Sequence, residues 1–276
     1  MTQDHEVQKA YEWAVEEVQP ALDALDLDLI ARHNRNYLDY EGRRIDAFVH
    51  AESRRYLHTA RLIASTVAPG GAILDVGCFI PVLPLMLRRL GFEVSVAEKF
   101  SLYENALEGV ASLVQKCGIR VVDADLVLGN TPDLSGTTFD AVLALALIEH
   151  LNGSPRKLLA NCRALLKPEE SKARLFLEVP NITSLNRRLR LLLGRSPFQP
   201  IKGYYESEYP FSGHNHEYTK EEVRYVLEAS GFKIQSLDCR MYSDPKLYTW
   251  KGKLVVWASS LLPQSFREVV FAVASP

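Results

Sequence analysis

Only four of the 276 residues are cysteine, and Cys78, Cys117, Cys162 and Cys239 lie far apart. That scarcity excludes a disulfide-stapled scaffold, and the spacing matches no zinc-finger ligand pattern. An excess of positive charge is also missing. Thirty-two lysines and arginines stand against 34 aspartates and glutamates, so there is no overall basic field for nucleic acid. No apolar run approaches the roughly 20 residues that span a bilayer, and there is no internal repeat. The first twenty residues are acidic and polar, unlike a secretory signal. These absences predict an ordinary globular chain in a reduced, cytoplasmic setting.

Glycine is scarce where its absence tells most. Residues 73–76 are apolar but for Asp75, bounded by Pro69, Gly70 and Gly71 in front and Gly77 behind, which reads as a buried strand entering a tight turn. Val82, Leu83, Leu85, Met86 and Leu90 recur at helical spacing up to Gly91. A second strand, 92–97, ends in Glu98. Strand, turn, helix and an acid ending the next strand form the first half of a nucleotide-type site. Gly77 is followed by Phe79 and Pro81 rather than further glycines. That argues against a pyrophosphate there, and so against a nicotinamide enzyme. Phenylalanine at a left-handed turn position is strained, so a reshaped loop is expected.

Residues 1–68 read as helical. Val7, Ala10, Tyr11, Ala14, Val15 and Val18 form one stripe before Pro20, and a second stretch over about 45–67 carries Phe48, Tyr56, Ala60 and Ile63. Residues 69–181 alternate strand and helix patterns, which predicts a parallel sheet. Ser101–Glu104 reads as a capping box, Ser154-Pro155 as a helix start, and Thr219–Glu222 as a second capping box. Two insertions interrupt the pattern: about 182–215, with Arg187, Arg188, Arg190 and Arg195 around a leucine stripe, and 241–266, with Trp250 and Trp257.

Six ordered segments resemble the class I methyltransferases that use S-adenosylmethionine. They are Asp75-Val76-Gly77, Glu98, Asp125-Leu126, the run 139–151 ending in Glu149-His150-Leu151, Phe176–Asn181, and His216–Thr219 closed by Ser230-Gly231-Phe232. The match covers about residues 70–240, and the late segment resembles the small-molecule branch. The first motif departs from the family, with Phe79 and Pro81 in place of its second and third glycines. The resemblance implies an α/β fold, Rossmann-like and doubly wound. Its sheet would be mostly parallel and seven-stranded, with an antiparallel last strand, beneath an N-terminal helical cap (1–68). Residues 69–276 would form the catalytic domain.

The resemblance also assigns roles. Asp75 would serve the cofactor's ammonium group, or only cap local backbone. Gly77, Cys78 and Phe79 would border the ligand, and Cys78 reads as a turn filler rather than a nucleophile. Glu98 would hold the ribose hydroxyls; Lys99 follows it, and Phe100 lies against adenine or in the core. Asp125, with Asp123 as its rival, would accept the adenine amino group beside Leu126. Leu145 and Ala146 would border the methionine arm. His150 would take a proton from an acceptor near neutral pH or simply pack at a helix start. Tyr37, His214 and His216 would face the acceptor. His214, His216 and Glu217 fall short of a metal ligand set, so no metal is expected.

The activity implied is methyl transfer to a small-molecule acceptor. The expected acceptor atom is an oxygen of a glycan, lipid-linked sugar or other metabolite. The alternative is a non-catalytic binding protein on a degenerate form of the fold. The arginines of 187–195 meet an anionic substrate or a membrane surface, or form a solvated helix face.

Overall fold

The computed structural model describes residues 3–34, 49–125, 134, 136–168, 172–245 and 249–276. The α-helices are, in chain order, α1 (Gln3–Asp23), α2 (Leu27–His33), α3 (Ser53–Thr66), α4 (Val82–Arg89), α5 (Glu108–Lys116), α6 (Arg156–Leu165), α7 (Leu185–Leu192), α8 (Ile201–Glu206), α9 (Lys220–Ala229) and α10 (Trp250–Leu261). None of the described helices is long and apolar enough to cross a membrane.

The apolar runs become central strands because helices cover both of their faces. β1 (Ala72–Val76) pairs in parallel with β2 (Glu93–Glu98) on one side and, on the other, with β4 (Ala141–Leu145). β3 (Arg120–Asp123) extends the sheet beyond β2, and β5 (Arg174–Pro180) beyond β4, both in parallel. β7 (Val269–Ser275) runs antiparallel to both β5 and β6 (Lys233–Arg240). The order is β3-β2-β1-β4-β5-β7-β6, the doubly wound α/β arrangement with a reversed last strand that was expected. The direction of winding switches between β1 and β4, and in such sheets the crevice lies beyond the strand carboxyl ends at that point.

Val7, Ala10, Ala14 and Val18 of α1 are buried in one cluster with Ile63 of α3, Leu85 of α4 and Ile73 of β1. The opposite face packs Leu158 and Leu159 of α6 and Val223 and Leu227 of α9 onto Leu74, Val142 and Leu175. Thr219 caps α9 as read, its side chain accepting from the Glu222 N–H while Glu222 bonds back.

Three local expectations are corrected. Helix α1 runs through Pro20 to Asp23, its buried stripe continuing to Ala21 and Leu22. Packing of that stripe outweighs the hydrogen bond that proline removes. Ser101–Glu104 does not cap a helix. Residues Phe100–Tyr103 form a 3-10 turn, Glu104 lies at φ 51, and α5 starts only at Glu108. A residue at positive φ ends right-handed winding, so the helix must restart beyond it. Third, the strand that the sequence predicts over residues 232–238 runs on to Arg240 as β6, because pairing with β7 continues there. Phe48, within the second helical stretch, lies outside the described residues.

Candidate functional site

Beyond the carboxyl ends of β1, β2 and β4 the structure holds a cavity of about 170 Å³. Its floor is the turn after β1. Gly77 sits at φ 73, and a Cβ there would lie 2.6 Å from Leu147 Cδ1, so both backbone and space demand glycine.

Phe79 corrects the expectation of a reshaped loop. It adopts the left-handed conformation itself, at φ 48. Such a φ costs a bulky residue on the order of 1–3 kcal/mol. The turn is held by Glu98, whose Oε2 accepts the Phe79 N–H at 3.0 Å while Oε1 accepts the Lys99 N–H at 2.9 Å. The Phe79 ring lines the cavity and lies 5.6 Å from the Tyr103 ring. It flanks the space without filling it. Cys78 also lines the cavity, and burial, with Asp75 and Glu98 adding, pushes its thiol well above the ordinary range. A thiol so held is inert.

Asp75 is buried in the cavity wall. Burial pushes its carboxyl up to about 7, with Arg55 opposing and Glu98 adding to the rise. Ala146 follows β4 at φ 50, its N–H donating to the Glu178 carbonyl at 2.9 Å. Leu145, Ala146 and Leu147 line the cavity from that side.

Sequence reasoning missed Arg55. From α3 it reaches the cavity, and its Nε lies 2.6 Å from Glu178 Oε1 on β5, with Glu52 at 3.4 Å. Burial pushes the Glu178 carboxyl up and the guanidinium opposes it. Tyr56 and Thr59 accompany Arg55 in the wall, and the buried Thr59 hydroxyl has no partner among the described residues. An arginine on an amphipathic helix reads as solvated; only the sparing of polar positions on the buried stripe could have flagged it.

His150 lies at the far side of the cavity, where its Nδ1 meets the Ser212 carbonyl at 2.7 Å. That bond places the proton on Nδ1 and makes Nε2 the ring's acceptor. The expected near-neutral titration is corrected. Burial, reinforced by His214, pushes His150 down to about 4. The segment 208–216 bridges this turn and the N-terminal helices. Glu208 and Ser212 donate backbone N–H groups to the carbonyls of Arg32 and His33, and Asn215 donates to the Glu149 carbonyl. His214 stands edge-on to His150 with ring centroids 4.8 Å apart, and its Nδ1 lies 2.8 Å from Glu217.

Other residues are not brought together. His216 is exposed, beside Tyr218 and 3.9 Å from Glu222. Lys99 and Asp125 pair with each other at 2.9 Å, and neither lines the cavity. Tyr37 and Leu126 lie outside the described residues.

A family model described as a methyltransferase domain matches residues 47–237. No curated protein matches the chain. Among solved structures, the pyocyanin biosynthetic protein PhzM superposes with a TM-score of 0.54 at 16% identity, covering 87% of this chain. This chain spans only 60% of PhzM's length. Magnesium protoporphyrin IX methyltransferase from Synechocystis PCC 6803, with bound SAH, gives 0.51 at 16% identity over 82% of this chain and 84% of its own. A SAM-dependent methyltransferase from Archaeoglobus fulgidus gives 0.51 at 16% identity over 83% and 99%. At these identities the likeness is one of fold.

Proposed function

The chain belongs to the methyltransferase-domain family, and we propose that it transfers a methyl group from S-adenosylmethionine to an oxygen of a small-molecule acceptor. The observation that carries this reading is the open cavity beyond β1, β2 and β4, with Asp75 in its wall and Glu98 holding its floor. The residues fit the cofactor. Asp75 is a buried carboxylate whose charge lacks a full partner and suits an ammonium group. Each Glu98 oxygen keeps a lone pair for a ribose hydroxyl beyond the backbone bond it already accepts. Leu145 and Phe79 offer apolar walls. Gly77, Cys78 and Ala146, which line the cavity, complete the proposed cofactor set. The cofactor supplies an electrophilic methyl on a sulfonium.

The protein's work is alignment. Helix α3, in the proposed N-terminal cap, closes one wall through Arg55, Tyr56 and Thr59. His150 stays neutral, so its Nε2 accepts a hydrogen bond and orients an acceptor hydroxyl more than it strips the proton. The segment 208–216 overhangs that end, as its bonds to His33 and Glu149 require.

The acceptor side carries a second proposed property, contact with an anionic lipid surface. From Leu185 to Tyr205 the chain has five cations and no acid, and from Thr249 to Leu262 two cations and no acid. The two helices of these stretches, α7 and α10, pack together. They leave Leu192 81%, Trp250 71% and Trp257 60% exposed. Apolar and aromatic side chains on stretches that carry cations and no acid suit a membrane interface. A second copy of the chain fits less well, because an isologous contact would set cations against cations.

Calorimetric titration with S-adenosylmethionine and S-adenosylhomocysteine tests the central reading. Binding of both is expected. Absence of either, in folded protein, would favour a non-catalytic binding protein on the same fold.

A further inference from the structure

Glu149 is a buried carboxylate with nothing to hold. Its residue is 0% exposed, and neither side-chain oxygen has a hydrogen-bond partner among the described residues. An ionised carboxylate left so is costly, and burial pushes its proton affinity up to about 8. Two histidines flank it. One ligand atom each from Glu149, His150 and His214 lie within 4.8 Å of one another.

Each ring is tied at its outer nitrogen. Nδ1 of His150 bonds the Ser212 carbonyl, and Nδ1 of His214 bonds the Glu217 carboxylate. Metal-bound histidines are held in this way, one nitrogen on a carbonyl or carboxylate and the other on the ion. The Glu217 carboxylate is itself fixed by Arg187 at 2.5 Å. The local charge points the same way. Glu52, Glu149, Glu178 and Glu217 make four carboxylates, and Arg55 and Arg187 make two guanidiniums. Among these four, Glu149 is the carboxylate that no cation touches among the described residues.

We propose that Glu149, His150 and His214 form a divalent-cation site beside the cavity, at its His150 side, taking a first-row ion such as zinc. Two imidazoles and one carboxylate are the donor set of open zinc sites, which keep a further position for water or substrate. The donor atoms of the three side chains lie close enough, within 4.8 Å of one another, for one ion to draw them together. Of the three, His150 also lines the cavity and so links the site to it. His216 takes no part, being exposed beside Glu222. Binding of the ion stands apart from methyl transfer. With the ion bound, the His150 Nε2 lone pair is on the metal instead of on the acceptor, and the ion would lower the pKa of an acceptor hydroxyl bound to it, a role that rests on the proposed function.

The test uses full-length protein stripped with a chelator and titrated with Zn²⁺ and Co²⁺ by calorimetry and absorption. One ion per chain is expected, with a visible cobalt spectrum lacking a thiolate charge-transfer band. Glu149→Gln and His214→Ala should each weaken binding at least about tenfold, and His216→Ala should leave it unchanged. Circular dichroism checks folding; should Glu149→Gln misfold, His214→Ala decides. No binding, equal binding in the His214→Ala and His216→Ala variants, or a thiolate band would each overturn the site. Titration of S-adenosylhomocysteine in the same samples shows independently whether the cofactor reading holds.

Discussion

Phe79 donates its backbone N–H to Glu98 Oε2 across 3.0 Å, and this bond holds a phenylalanine at φ 48. A single carboxylate thus shapes the turn and presents its remaining lone pairs to the cavity. Glu98→Ala should remove both effects. Affinity for S-adenosylhomocysteine is expected to fall by about 1–3 kcal/mol, the cost of leaving polar partners unmade in a closed site. Calorimetry on the folded variant measures this. Unchanged affinity would mean the ribose lies elsewhere.

Arg55→Ala leaves Glu178 buried beside Glu52 without its guanidinium. Removing one partner of a buried pair costs about 3–5 kcal/mol, to be read from urea unfolding at pH 7. The sign with pH follows. Without Arg55, the folded-state pKa of Glu178 rises further above its unfolded value. The folded protein then holds that proton more tightly, an advantage complete below the unfolded pKa and lost as pH rises through the folded one. The variant should therefore recover towards wild type on acidification. A deficit constant from pH 5 to 8 would contradict this account.

Burial raises Asp75 to about 7, so the group must lose a proton to meet an ammonium ion. Cofactor affinity should rise about tenfold per pH unit below pH 7 and level off above it. Asp75→Asn should bind more weakly above pH 7 and with a flatter profile. Titrations across this range decide; an equally steep profile in Asp75→Asn would assign the proton to another group.

Leu192 and Trp257 are exposed enough that replacing them should not disturb the core. Leu192→Asp with Trp257→Asp should lower partitioning onto phosphatidylserine-containing vesicles by about tenfold or more, with cofactor binding unaffected. Flotation assays read the effect. Equal partitioning of both forms, or onto neutral vesicles alone, would remove the anionic-surface proposal.

Some of this protein is written locally. The run 72–76, Gly77 and the acid at Glu98 lie within one strand–turn–helix–strand unit, where periodicity and turn chemistry report on neighbours in sequence. The capping box at Thr219 and the leucine stripe of α7 are of the same kind. The doubly wound sheet follows from the alternation of such units.

Other features belong to pairs that no local pattern couples. Arg55 meets Glu178 from 123 residues away, and His150 meets Ser212 from 62. Neither contact leaves a period in the chain, because it depends on how α3 and the loop after α8 settle over the strand ends. The acidity of Asp75 and His150 is likewise tertiary. A carboxylate and an imidazole keep ordinary values in a free chain, and only burial strips the water that sets them. Even Phe79 follows this division. Its residue type warned of strain, but whether the loop would yield or the strain be held was decided by Glu98, on a neighbouring strand, bonding its N–H.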